Sequence, residues 1–324
     1  MSIKERLKSI THISEDRLST TPPVPKSCKI ELTSRCNYKC QYCAISFRNG
    51  TPSKDMDWDL FRKITSEMKY LGVEEIGLFY IGESFINPNL LIKAIEYLKQ
   101  DLEIPYVFLT SNASLAEPYM VGRCMDLGLD SLKWSCNAAN DEQFEKLMGV
   151  SSKMFERAKQ NIKKVWELRE EELKKYPWYR EGATRLYASS ILYDKDQPKK
   201  AEKFLNEYVR PYVDEHYWLP LYSAGGQARE KEAELGMQPI AGNTGRLDDP
   251  SEPIPCWTLF TAAHIMVNGR MTACCLDGVG NWVMGDLKTN TFMECWHSKD
   301  FKKLRQAHID KNIVGTKCEK CVLY

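Results

Sequence analysis

At 324 residues, with 45 lysines and arginines against 44 aspartates and glutamates and a formal charge of +1, the chain has no excess charge to draw nucleic acid or an anionic membrane surface. Its 43% hydrophobic and 27% charged residues are those of an ordinary folded enzyme, long enough for a large α/β unit and a smaller one. The apolar runs fall short of the roughly 18 residues of a membrane span, and Met1 to Arg6 hold no apolar signal core, which predicts a cytoplasmic protein.

Residues 1–26 are polar, end in Thr21-Pro22-Pro23-Val24-Pro25, and read as a lead-in packed on the outside of the domain. From 27 to 222 strand and helix patterns alternate, which argues for a parallel sheet or barrel. The strands are predicted near 28–33, 74–80, 105–110, 130–136, 184–192 and 213–219. Helices are predicted at 57–70, 88–100, 117–127, 141–175 with a break, and 198–209, with Asp57 as an N-cap and Pro88 and Pro118 at helix starts. Six such units are fewer than the eight of a closed barrel.

Twelve cysteines in a chain of this kind point to metal rather than disulfides. Cys36, Cys40 and Cys43 stand C-x3-C-x2-C directly after the first strand. Three thiolates so close can hold an iron-sulfur cube, which needs four ligands, so one iron stays open to a chelating molecule. Zinc prefers paired C-x2-C knuckles and fits this spacing poorly. Cys28, Cys124, Cys136 and Cys295 are scattered and read as small buried hydrophobes.

Residues 223–255 break the rhythm with Gly225-Gly226, Gly242-Asn243, Pro250 and Pro253, and read as a linker or substrate-covering loop. Beyond it lies a second group, Cys256, Cys274, Cys275, Cys318 and Cys321. Asn268-Gly269 between two short apolar runs predicts a β-hairpin that turns Cys274 back toward Cys256. With Cys318 and Cys321 the four thiolates leave no gap, which suits a closed zinc site or a fully ligated cluster.

With Tyr42 just before its last cysteine, the first motif resembles the signature of the radical S-adenosylmethionine (SAM) enzymes, and the likeness covers most of the chain from about 28 to 321. The resemblance implies a partial (β/α)6 TIM-like barrel followed by a small C-terminal β-hairpin plus helix domain. It further implies that Cys36, Cys40 and Cys43 bind a 4Fe-4S cluster that chelates SAM and cleaves it to a hydrogen-abstracting radical. Gly82 and Glu83 align with the family's Gly-Gly-Glu-Pro segment at the SAM amino group, although Ile81 and Ser84 depart from it. By the same likeness Asn112, Ser135 and Asn137 fall at SAM, and Ile191 on its adenine side. Residues 256–324 resemble the SPASM domain and its shorter Twitch form, which makes Cys256, Cys274, Cys318 and Cys321 ligands of a second, auxiliary 4Fe-4S cluster.

The expected substrate is a hydroxylated small molecule, a sugar or aminocyclitol, and the expected electron source an external one-electron donor such as flavodoxin or ferredoxin. No nucleic acid or membrane partner is expected. Dehydrogenation would use the auxiliary cluster as electron acceptor. Epimerisation would use Cys275 as hydrogen donor, with Asp277 near a substrate hydroxyl. The alternative is maturation of a ribosomal peptide.

Overall fold

A computed structural model describes residues 2–47, 53–222, 224–246 and 249–322. The chain opens with α1 (Ile3–Thr11), whose Ser2 and Glu5 cap each other's backbone reciprocally. Strand–helix units come next: β1 (Ser27–Ile30) leads through the cysteine loop to α2 (Trp58–Tyr70), β2 (Glu75–Gly77) to α3 (Pro88–Glu96), and β3 (Tyr106–Ser111) to α4 (Pro118–Asp126). β4 (Ser131–Ser135) leads to α5 (Asp141–Met148) and α6 (Lys153–Lys175), β5 (Arg185–Leu192) to α7 (Gln197–Tyr208), and β6 (Glu215–Pro220) ends the series. The predicted helix signals hold: the Asp57 carboxylate accepts from Leu60 N, Asn87 accepts from Leu90 N ahead of Pro88, and Gly149 at φ 65° makes the break between α5 and α6.

β1 to β6 pair in parallel in chain order, forming the partial barrel. Side chains alternate across each strand: in β3, Val107 and Leu109 are buried under the helices while Phe108 and Thr110 face the lumen. The remaining elements are α8 (Arg229–Glu234), β7 (Gly245–Arg246), β8 (Asp249–Pro250), α9 (Thr258–Thr261), β9 (Ala262–Ile265), β10 (Arg270–Thr272), β11 (Val283–Asp286), α10 (Phe292–Trp296), α11 (Lys299–Ile309) and α12 (Glu319–Val322). The predicted hairpin is β9–β10, turned by Gly269 at φ 82°. It is joined to the barrel sheet, because β9 pairs in parallel with β1, from Ser27↔Ala262 to Ile30↔Ile265. One nine-stranded sheet results, in the order β11-β10-β9-β1-β2-β3-β4-β5-β6. The exposed edge that β1 would otherwise present is thereby covered.

The lead-in does more than lie on the outside. Ile3, Leu7 and Ile10 of α1 line the lumen at the end where the strands begin, and Ile3 N donates to Glu215 Oε1 (3.1 Å). The Arg6 guanidinium lies over the Tyr106 ring, 3.9 Å from its centroid, and pairs with the buried Glu75 carboxylate. Further on, the lead-in is stitched to the C-terminal helices: Trp296 Nε1 donates to Pro23 O (2.9 Å) and Arg305 Nη1 to Thr20 O (3.1 Å). No helix among the described residues is long and apolar enough to cross a membrane.

Removing the cation leaves Glu75 buried without its counter-charge. Arg6→Ala is therefore expected to lower the free energy of unfolding by about 3 kcal/mol, measured by urea denaturation of the metal-free chain.

Candidate metal centres

The loop after β1 is held from three sides. At the end of β2, Glu83 N donates to Arg35 O (2.8 Å). A Cβ on Gly82 would stand only 2.0 Å from Thr33 O and 2.8 Å from Arg35 O, so only glycine admits this approach. At the end of β3, Asn112 Nδ2 donates to Asn37 Oδ1 (2.9 Å), Asn37 Nδ2 to Ser114 Oγ (2.8 Å), and Ser114 Oγ to Asn112 Oδ1 (2.8 Å), which closes a ring. Carbonyls that the end of α5 leaves unpaired accept from the loop itself: Lys39 N donates to Met148 O (3.0 Å) and Gln41 N to Leu147 O (2.9 Å).

Within this frame Cys36, Cys40 and Cys43 are half-buried and free of disulfides. Burial, followed by the Glu83 charge, pushes the Cys36 thiol up to about 12. Burial raises Cys40 as well, with Cys43 and Cys36 adding to it, so the three thiols lie within electrostatic reach of one another. Cys36 Sγ accepts from Tyr38 N (3.4 Å), the kind of donation that steadies a metal-bound thiolate.

Tyr42 Oη accepts from Asn137 Nδ2 (3.1 Å), and its ring centroid is 5.5 Å from that of Tyr193, whose hydroxyl donates to Asn137 O (2.9 Å). Asn137 Oδ1 is buried with no hydrogen-bond partner among the described residues. Asn112, Ser135 and Asn137 come together on one small cavity beside Tyr38 and Met148. Ile191 is half-buried near the end of β5, beside Leu219 of β6. Glu83 Oε1 accepts from Ser111 Oγ (2.9 Å) and Phe85 N (3.2 Å), and Oε2 from Asn112 N (2.8 Å). These bonds make its carboxylate a brace between the ends of β2 and β3.

The second group gathers where β10 ends. Burial, then the charges of Cys275, Cys321, Cys318 and Cys256, raise the Cys274 thiol well above its ordinary value. Leu276 N donates to Cys274 Sγ (3.3 Å), repeating the donation of Tyr38 to Cys36 two residues along. Tyr80 Oη lies 2.8 Å from Cys274 O and 2.9 Å from Asp277 O, tying this loop to the end of β2. Among the described residues no three Cys, His, Asp or Glu side chains converge as a single ion requires. Thiol sets with sulfur-directed N–H donors fit iron-sulfur clusters, which spread their ligands around several irons. Binding must then displace the thiol protons.

Asp277 is buried, and its oxygens accept from Asn281 N (2.9 Å) and Trp282 N (2.8 Å), closing the 277–282 turn. Cys275 is half-buried and lines the lumen cavity of about 240 Å³, where Asn243 Nδ2 donates to its sulfur (3.2 Å). Gly242 reaches the C-terminal thiol pair, its N donating to Cys321 O (2.7 Å). Asn37, Tyr80, Ser114 and Asn243 were not singled out by the sequence; of these only Asn37, inside the cysteine motif, offered a local signal. Cys28, Cys124, Cys136 and Cys295 are buried.

A parallel partial barrel with a three-thiol loop after its first strand defines the class of protein. Residues 30–170 match the Radical SAM superfamily and residues 256–322 match SPASM, an iron-sulfur cluster-binding domain. The chain thus combines a Radical SAM superfamily domain with a C-terminal SPASM-type iron-sulfur domain, and these domains imply 4Fe-4S clusters and SAM. In sequence it is similar to the "Probable GTP 3',8-cyclase" of Methanococcus maripaludis strain C5, at 32% identity over 143 residues, 44% of this chain and 46% of that protein. It is also similar to the S-adenosylmethionine-dependent nucleotide dehydratase RSAD2 of Oncorhynchus mykiss, at 29% over 127 residues, 39% of this chain and 35% of that one. The chain spans about half the length of the first of these relatives and less of the second.

Among solved structures, BtrN in complex with AdoMet and 2-DOIA has a TM-score of 0.54 at 15% identity, covering 93% of this chain and 98% of its own. Streptococcus suis SuiB bound to its precursor peptide SuiA has a TM-score of 0.62 at 15% identity, covering 92% of this chain and 68% of its own. At such identities the likeness is one of fold.

A methyl group at position 82 would force the cysteine loop off the β2 end. Gly82→Ala is expected to cost about 1–3 kcal/mol of stability and to open the 36–43 loop to limited proteolysis, with cleavage mapped by mass spectrometry.

Proposed function

We propose that the chain is an oxidoreductase or epimerase acting on a hydroxylated small molecule, and that hydrogen return by Cys275 makes epimerisation the better supported outcome. The observation that carries this reading is the placement of Cys275, next to Cys274 in sequence yet lining the lumen cavity. In this reading 27–222 is the radical SAM core, 223–255 covers the substrate, and 256–324 is an auxiliary domain of the shorter Twitch form.

Cys36, Cys40 and Cys43 would hold one 4Fe-4S cluster, and Cys256, Cys274, Cys318 and Cys321 a second. When bound, these clusters with SAM supply a carbon-centred radical that takes one hydrogen atom, and a store for one electron. Gly82 lets the cysteine loop approach the β2 end and so places the loop beside SAM, Asn137 offers Oδ1 as an acceptor, and Asn112 and Ser135 border the same cavity. Tyr42 accepts from the Asn137 side-chain amide and Tyr193 donates to its backbone carbonyl, which together hold the residue in place. Asn243 donates to the Cys275 sulfur and so fixes the thiol at the cavity wall. A carbinol carbon that loses its hydrogen from one face and regains one from the Cys275 thiol on the other has inverted configuration, and an external one-electron donor with a proton restores the thiol. If the carbon radical instead gives up its hydroxyl proton, and one electron to that store, a ketone is left, the dehydrogenase outcome. Maturation of a ribosomal peptide draws support from the fold likeness to SuiB, but a cavity of about 240 Å³ backed by α1 suits a small molecule better.

Anaerobic reconstitution is expected to load about eight irons per chain and to release 5'-deoxyadenosine from SAM. The triple variant Cys36→Ala, Cys40→Ala, Cys43→Ala should lose about half the iron and all of that release. In deuterated solvent, an epimerised sugar should carry deuterium at the inverted carbon, and Cys275→Ala should abolish its formation. Two zinc ions in place of iron, with no SAM cleavage, would sink the reading.

A further inference from the structure

The one carboxylate among the described residues that lines the lumen cavity, Glu75, is already held by Arg6. Two barrel strands turn lysines into the same cavity, Lys29 from β1 and Lys133 from the middle of β4, both half-buried. Neither has a carboxylate within salt-bridge distance among the described residues, and the charges acting on Lys133 are those of Lys29 and Cys136. Lys29 rests against the Phe79 ring, its Nζ 5.9 Å from the centroid.

Two like charges turned into one cavity repel each other, and burial adds to the cost. Together, burial and the Lys29 charge push the Lys133 amine down to about 8. One further group on the cavity wall lacks a partner: Trp257 lines the cavity, and its buried Nε1–H has no acceptor among the described residues. Two ammonium groups and an indole N–H without acceptors, on a cavity that Cys275 also lines, are what an anion would satisfy.

We propose that the lumen receives a substrate whose hydroxylated carbons face Cys275 and whose anionic group, a phosphate or a carboxylate, sits between Lys29 and Lys133. This rests on the small-molecule reading above and narrows it. An aminocyclitol would bring an ammonium group between two lysines, and a sugar phosphate or a sugar acid brings their counter-charge.

The test measures binding to the reconstituted full-length protein by equilibrium dialysis, with glucose 6-phosphate, glucuronate, glucose and glucosamine as probes. Either anionic sugar is expected to bind at least about tenfold more tightly than glucose, with glucosamine weakest. Which of the two binds better tells phosphate from carboxylate. Lys29→Gln and Lys133→Gln should each weaken the anionic probe about tenfold, Lys133→Arg should restore most of it, and Lys133→Glu should shift preference toward glucosamine. Iron content and circular dichroism report whether each variant has folded. Equal binding of charged and neutral probes, binding of none, or indifference to both lysine variants overturns the proposal. Wild-type protein that cleaves SAM but shows no charge preference fails this inference alone, whereas wild-type protein that does not cleave SAM fails the functional reading beneath it.

Discussion

The structure depends on the fixing of a ten-residue loop that has no regular secondary structure of its own. The backbone donors of Lys39 and Gln41 find carbonyls at the end of α5, Asn37 is locked to Asn112 and Ser114, and Thr33 and Arg35 pack on the bare Cα of Gly82. Each contact comes from a different strand–helix unit, so the barrel must be assembled before the three thiols take their places. Loops are ordinarily the mobile part of a fold. Here the loop is over-determined, and the side chains that determine it, Glu83 among them, are polar groups whose hydrogen bonds are made inside the protein.

The second thiol group owes its position to a different device. β9 adds to the sheet beside β1, and Glu31, buried at the end of β1, accepts from Val267 N (2.9 Å), continuing the tie past the last strand pair. The hairpin carries Cys274 and Cys275 forward from that anchor. Tyr80, from the end of β2, holds their loop through two carbonyls, while the 223–255 segment reaches the same place through Asn243 and Gly242. Radical chemistry needs substrate held with little freedom and water kept away. An inner surface with rigid walls on both thiol sides meets that need through packing.

What was legible in the sequence was whatever is decided locally. Asp57, Asn87-Pro88 and Asn268-Gly269 each act within a few residues, and each does in the fold what its chemistry predicts. The pairing of β9 with β1 joins residues more than two hundred positions apart, and no periodicity records it. α1 was within reach, since Ile3, Leu7 and Ile10 recur at helical spacing, but the surrounding charge masked a face that turns inward. Glu83 and Asp277 show a firmer limit. A carboxylate that closes a turn and one that greets a ligand are the same residue until the neighbouring N–H groups are placed.

Recognition by sequence divides this molecule into two separate modules, yet the β1 edge belongs to both. A barrel cut free after β6 would show solvent a row of unsatisfied main-chain groups along its first strand, and the cut-away hairpin would lose the template that sets its register. Inheritance can therefore lengthen or rewrite the connection between the halves, but it cannot trade one half for another unless the seam between them travels too.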